Sequence, residues 1–423
     1  MRAFVASLLF VVALPGVALA DDKPLDVREP PFAFGDFAWL DGFNGQPDSL
    51  LKIGPVTASV YVDTYWLYQF QHPIDHVAFP ATSGSRHNEL SINLASIGLD
   101  VTGLDGPVGR VILQYGSNVE TVAGQDATTT RGFFLSNRVF QYLQQATVGW
   151  HFHAMHGVQV EVGVMPSLIG IESYLTQENW NYSRAMMLES VPYYMLAARA
   201  DFYPTDRLLL QAYATNGWQT YGKWGEATAF GYLLNYRPSD RFVVTTNGYV
   251  GADERTTTDA VRIYTNHYAQ WQFLRRKTGA LRSGAIAAAV DVGGETVTGG
   301  LMLGGLVATR LEWDHGFATT FRMDTYYDKN QTLIARLPSG SPYDLPDHSP
   351  FYSLGLTGTL EYTPSPWIVF RAEYMHRAAR IPYFAGTGGI TGPGGIPTAD
   401  PSTFAPDLRK SDDRVIVAAT LRL

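Results

Sequence analysis

Phe351–Arg377 reads FYSLGLTGTLEYTPSPWIVFRAEYMHR. Before the Thr363-Pro364-Ser365-Pro366 break, Tyr352, Leu354, Leu356, Leu360 and Tyr362 share one parity, and Ser353, Gly355, Thr357, Thr359 and Glu361 share the other. After it, Ile368, Phe370, Ala372 and Tyr374 alternate with Arg371, Glu373 and Arg377. Successive side chains of a strand point to opposite faces, so the stretch is an antiparallel hairpin with one apolar and one polar face. Each arm runs about ten to thirteen residues, against roughly 5–6 for strands of soluble proteins and roughly 9–11 for strands crossing a bilayer at a tilt. Tyr362 and Trp367 flank the turn, where a membrane strand carries its interfacial aromatics.

The start of the chain predicts the compartment. Met1-Arg2 is a short basic head, Ala3–Leu14 is apolar apart from Ser7, and Ala18-Leu19-Ala20 precedes Asp21-Asp22. That is the small-x-small form of a secretory signal cleaved after Ala20. The apolar run is too short to span as a helix, and no later stretch approaches about 18 apolar residues. Membrane-length strands without membrane helices imply a closed barrel, because hydrocarbon offers no partner for an unpaired backbone group. The expected setting is the outer membrane of a Gram-negative bacterium, with lipid and lipopolysaccharide around the chain.

The 423 residues carry a net charge of −8, 13% aromatics and only 17% charged residues. Mean hydropathy is near zero, as in a soluble protein. It is also what results when lipid-facing and lumen-facing residues cancel along every strand. There is no cysteine, hence no disulfide frame, thiol nucleophile or thiolate metal site. The acidic balance argues against a nucleic-acid partner.

Residues 21–55 lack both periodicities and read as a periplasmic lead-in or a segment folded into the barrel mouth. Alternation begins at Val56, with Val60, Val62, Trp66 and Tyr68 against Tyr61, Asp63 and Gln69. Leu90, Ile92 and Leu94 oppose Glu89, Ser91 and Asn93, and a long loop is expected over residues 117–144. Val158, Val160 and Val162 oppose Gln159 and Glu161; Tyr194, Leu196, Ala198, Ala200 and Phe202 oppose Arg199 and Asp201. Register is weak over residues 262–307, where Arg275-Arg276-Lys277 suits a turn. It returns with Val307, Thr309 and Leu311 against Arg310 and Glu312. Short turns at Tyr203–Arg207, Arg237–Arg241 and Thr363–Pro366 alternate with longer polar connections. Such alternation places short turns in the periplasm and long loops outside. The expected count is about sixteen strands, within about fourteen to eighteen. Val415, Val417, Ala419, Leu421 and Leu423 resemble a barrel's C-terminal insertion signal, with Leu423 where Phe is usual.

The inward parity carries charges of both signs. Arg110, Arg199, Asp201, Arg207, Arg310, Glu312, Arg322, Asp324, Arg371 and Glu373 are the candidate pore-lining residues. Charge is expensive against lipid and inexpensive in a hydrated lumen. For any single residue the plainer reading is a paired charge stiffening the wall. Residues 166–190, PSLIGIESYLTQENWNYSRAMMLES, break the alternation. Folded inward, they constrict the pore with Glu172, Glu178, Trp180, Tyr182 and Arg184; folded outward, they cover the rim. Tyr61, Tyr65, Tyr174 and Trp180 are candidates for a stacking track. His151, His153 and His156 suit polar residues beside a turn better than a metal site, and no metal ligand is assigned. No G-x-S-x-G, Walker A or H-E-x-x-H occurs, so no catalytic residue or cofactor is assigned.

Phe34–Gly42 (FGDFAWLDG) and Glu178–Arg184 (ENWNYSR) resemble segments of the OmpL-like β-barrel porin family. With the signal peptide and the terminal strand, the similarity covers nearly the whole mature chain. It implies a porin-type barrel and brings no defined catalytic or binding residues. The expectation is an all-β chain: a signal peptide at 1–20, a leader at 21–55 and a transmembrane antiparallel barrel at 56–423. Its role is diffusion of small hydrophilic solutes or ions. The alternatives are a substrate-specific channel for a sugar, organic acid or peptide and, less favoured, a barrel adhesin or enzyme. Porins are often trimers, and the sequence identifies no interface for a homo-oligomer.

Overall fold

The computed structural model describes residues 51–102, 106–123, 126, 136–205, 207–223, 227–252, 260–334, 349–392 and 406–423. The signal peptide, the leader as far as residue 50 and the Phe34–Gly42 motif lie outside the described residues.

Sixteen antiparallel strands form a closed barrel. In chain order the first eight are β1 (Val56–Gln69), β2 (Leu90–Thr102), β3 (Gly106–Tyr115), β4 (Leu143–Phe152), β5 (Val158–Pro166), β6 (Tyr194–Thr205), β7 (Leu208–Thr215) and β8 (Ala229–Ser239). They are followed by β9 (Phe242–Ala252), β10 (Val261–Arg275), β11 (Leu281–Glu295), β12 (Gly300–Trp313), β13 (Phe317–Asp328), β14 (Phe351–Ser365), β15 (Ile368–Ala379) and β16 (Ser411–Arg422). Each pairs with the next, and β16 returns to β1 through pairs such as Ile416↔Leu67 and Thr420↔Asp63. That last ladder removes the open edges, which hydrocarbon would not tolerate. Short connections at 206–207, 240–241 and 366–367 lie at the end where β1 begins and β16 finishes. The described parts of the longer ones, among them 70–89, 116–123, 136–142, 167–193 and 380–392, lie at the other end.

The quoted hairpin is β14–β15. Tyr352, Leu354, Leu360, Phe370 and Tyr374 are exposed to the lipid side, while Ser353, Thr357, Glu361, Arg371 and Glu373 are buried. The register sets Glu361 opposite Arg371 and Thr359 opposite Glu373, so inward polar groups meet partners across the ladder.

Three readings of the sequence change. Leu94 is not on the lipid face with Leu90 and Ile92: the β1–β2 register shifts between Asp63 and Thr64, and Leu94 is buried opposite Asp63. One extra residue in a ladder reverses every later side chain. Tyr194 keeps outward parity yet is buried, its hydroxyl donating to Asp126 at 2.6 Å and its ring stacked on Tyr221 at 4.2 Å. Loop 117–144 contains two short helices, α1 (Ser117–Ala123) and α2 (Ser136–Phe140).

The weak 262–307 stretch is three regular strands, β10 to β12. Alanine occupies both faces of β11, inward at Ala285, Ala287 and Ala289 and outward at Ala288, which blurs the pattern.

Gly163 in β5 has φ +145°, and a Cβ there would stand 1.9 Å from the Ala146 carbonyl oxygen on β4. Gly163→Ala is expected to open the β4–β5 ladder, at about the 1–3 kcal/mol of a strained backbone position. The measurement is the temperature at which the compact, heat-modifiable band is lost on electrophoresis, which should fall.

Candidate functional site

The β5–β6 connection, residues 167–193, runs through the barrel interior. It is buried almost throughout and bonds to inward side chains of strands remote from β5 and β6. Its tip is closed locally: Ser173 N donates to Asn179 Oδ1 at 2.8 Å, and Asn179 Nδ2 returns a bond to Ser173 O at 2.7 Å. Two 3₁₀ turns, Thr176–Glu178 and Met186–Ser190, follow. Its apolar side places Ile169, Met186, Met187 and Leu188 in one cluster with inward Ala287, Ala289 and Leu306.

The polar side is fixed by charge. On β15 the Glu373 carboxylate accepts from Tyr182 N at 2.6 Å, Ser183 N at 2.9 Å and Thr359 Oγ1 at 2.7 Å. On β13 Arg322 donates to Glu172 Oε1 at 2.8 Å and to Ser183 O, with Thr357 Oγ1 at 3.1 Å. Asp324 accepts from Met186 N at 3.2 Å. Arg371 bridges Glu361 at 2.8 Å and the carbonyls of Thr176 and Asn179. On β1, Asp63 accepts from Thr176 Oγ1 at 2.9 Å, Tyr182 Oη at 3.2 Å and Asn93 Nδ2 at 2.8 Å. Thr420 Oγ1 adds a fourth bond at 3.0 Å. Hydrogen bonds to charged groups contribute about 1.5–3 kcal/mol each, so the segment is held firmly.

Arg322, Asp324, Arg371 and Glu373 therefore meet Glu172, Tyr182 and Arg184 of the loop in one cluster. Arg184 lies over the Tyr193 ring at 4.6 Å, and its carbonyl accepts from Arg377. Glu178 and Trp180 of the loop are buried as well. The remaining wall charges pair locally: Arg199 with Glu161 at 2.5 Å and Asp201 at 3.0 Å, Arg310 with Glu361 at 2.6 Å and Glu312 at 3.3 Å, and Arg110 with Asp100 at 2.5 Å. Arg207, expected to line the pore, sits instead in the turn after β6, donating to Pro238 O near the end of β8.

Sequence reading does not reach Thr176 or the Arg377–Glu189 pair at 3.8 Å, because loop residues carry no period. Tyr61 and Tyr174, Tyr65, and Trp180 belong to three separate apolar clusters, so the four do not form one track. His151 is buried, while His153 and His156 are exposed. Among the described residues no group of three or more His, Cys, Asp or Glu is placed to hold a metal ion.

The sequence matches the family described as putative beta-barrel porin-2, OmpL-like, over residues 55–405. The chain belongs to that family. It is a porin of the outer membrane. Three solved structures share its fold. The anion-selective porin from Comamonas acidovorans aligns at TM-score 0.54 and 9% identity, covering 87% of this chain and 99% of that one. The outer membrane channel DcaP of Acinetobacter baumannii aligns at 0.51 and 12%, covering 87% and 97%. Salmonella typhi OmpF, solved in complex with daunomycin, aligns at 0.51 and 11%, covering 87% and 97%. No curated protein matches the sequence.

At the porin's long-loop end, His87 Nδ1 accepts from Gln69 N at 2.9 Å, and His76 Nδ1 donates to His87 O at 2.7 Å. Burial, then the charges of His72 and His76, lower the His87 pKa to about 4.

Two outcomes are expected. Arg322→Ala strands the Glu172 carboxylate without its cation, a change worth about 3–5 kcal/mol. It should lower thermal stability and expose residues 167–193 to protease nicking. The neutral His87 favours the folded loop 70–89 at pH above the ordinary histidine pKa of about 6.5. As pH falls below that value the unfolded loop takes up a proton the folded one resists, so stability is lost down to about pH 4. Limited proteolysis of loop 70–89 across that range should show rising cleavage, abolished in His87→Gln.

Proposed function

We propose that small hydrophilic solutes and ions diffuse through this porin past a constriction formed by residues 167–193, with weak ion selectivity. The carrying observation is the attachment of that segment to the opposite wall, through Tyr182 and Ser183 N–H on Glu373 and Ser183 O on Arg322. A segment tied across a lumen narrows the path, and the charges fixed around it bias which ions pass. Here Arg110, Arg199, Arg310, Arg322 and Arg371 each have a carboxylate at ion-pair distance. Paired charges largely cancel at a distance, which favours a general diffusion pore over a strongly anion- or cation-selective one. No catalytic role belongs to this reading. Its partners are the solutes inside, outer-membrane lipid and lipopolysaccharide on the outward face, and a second copy of the chain meeting that same face.

Single-channel recording of the refolded porin should show ohmic steps and a reversal potential close to zero under a salt gradient. Glu373→Ala, which frees two loop N–H groups, should raise the conductance. A folded, heat-modifiable barrel with no conductance would sink the reading.

A further inference from the structure

We propose that the short-turn ends of β8 to β11 form a docking surface for the headgroups of anionic glycerophospholipids. The proposal names one lipid class and one sector of the wall within the lipid partnership read above, and it does not depend on conduction. The surface begins at the aromatic girdle. On the outward parity of β10, Trp271 and Phe273 are 52% and 42% exposed, with ring centroids 6.0 Å apart. Such rings mark the depth at which hydrocarbon gives way to headgroups. Arg275 is the next outward residue, roughly 6.6–7 Å further along the strand, or about 5 Å of depth at the tilt of a barrel strand. That step carries a side chain from the level of the rings to the level of lipid phosphates.

Two neighbouring turns add to it, residues 240–241 between β8 and β9 and residues 276–280 between β10 and β11. β10 runs on from its last pair with β9, Phe242↔Trp271, to Arg275, roughly 13 Å further, and the Arg276-Lys277 tip lies beyond that. The tip is held in shape: Arg276 N donates to Arg282 O at 2.7 Å, and Arg282 Nη1 donates to Lys277 O. Arg241, Arg275, Arg276, Lys277 and Arg282 are thus gathered at one place in a chain of net charge −8. Of the carboxylates nearby, Asp240 lies 3.2 Å from Arg275, both side chains 55% exposed, and Asp314 in the next turn lies 3.7 Å from His315. Exposed pairs of this kind are weak and leave the cations open to another anion. Arg241, Arg276 and Lys277 are exposed and have no carboxylate at ion-pair distance among the described residues. The short turns 153–157, 314–316 and 366–367 contain no lysine or arginine, so the charge is local to this sector.

The partner follows from charge and depth. Short turns of a bacterial barrel stand on the periplasmic side, where the leaflet is built of glycerophospholipids rather than lipopolysaccharide. Cations beside a membrane surface draw in headgroups of net negative charge, and a zwitterionic headgroup gains little from them. The arginines add directed bonds, since a guanidinium can grip a phosphate with two N–H groups.

The chain has no cysteine, so one introduced thiol reports on one place. Ile286→Cys lies opposite Trp271, above the cations, and Val160→Cys lies opposite Trp150, above turn 153–157. Each thiol is labelled with a fluorophore and the porin refolded into phosphatidylcholine vesicles. These hold either phosphatidylglycerol or phosphatidylcholine with a nitroxide near the glycerol end of the acyl chain. At low salt, quenching at position 286 should favour phosphatidylglycerol about fivefold, and quenching at position 160 should favour neither lipid. Arg276→Gln/Lys277→Gln should bring the ratio at 286 down to that at 160, and so should about 0.5 M salt without those two substitutions. Equal quenching by both lipids at 286, an equal preference at 160, or a preference that persists in high salt overturns the proposal. The salt experiment decides if the double variant does not fold. None of these outcomes alters the porin's conductance, and a barrel that shows the preference without conducting overturns the channel reading alone.

Discussion

A chain lying in hydrocarbon has to pair every backbone N–H and C=O with itself, and here the pairing of β16 with β1 completes that requirement. Closure has consequences for every side chain. Once the sheet is a cylinder, one parity of each strand meets lipid and the other meets the enclosed space. Buried arginines and glutamates such as Arg322, Arg371, Glu361 and Glu373 lie on the second. Phe, Tyr, Val and Leu crowd the first, with Leu90 and Val148 among the most exposed at 85% and 70%.

The enclosed space then imposes its own condition. Guanidinium and carboxylate groups removed from bulk water have to find partners, and pairs on one strand do not satisfy them all. The loop between β5 and β6 supplies the rest with backbone: Glu373 takes two of its N–H groups, and Arg322 and Arg371 take its carbonyls. Buried ion pairs of this kind contribute position more than stability, since desolvation offsets much of their attraction. What they position is a segment across the lumen of a porin.

Much of this is legible in the β14–β15 hairpin, where Tyr352 to Tyr362 and Ile368 to Tyr374 keep strict alternation and each arm is long enough to cross a bilayer. Legibility fails where the period fails. On β11 alanine sits on both faces, and on β2 the shift opposite Asp63 turns Leu94 inward although its sequence parity is outward. Tyr194 has the right parity, but its exposure depends on whether Asp126 and Tyr221 cover it.

The sequence by itself determined the fold class, the membrane setting and the approximate strand number. These follow from a period of two residues, and each strand states that period without reference to any other. Only the tertiary structure decided that residues 167–193 enter the lumen and which charges they meet. It also decided that the four proposed stacking aromatics fall in separate clusters. The deciding contacts join Asp63 to Thr176, Arg322 to Ser183 and Tyr182 to Glu373, which are 113, 139 and 191 positions apart. At such separations no local pattern records the partner, and barrel closure alone brings the groups within bonding distance.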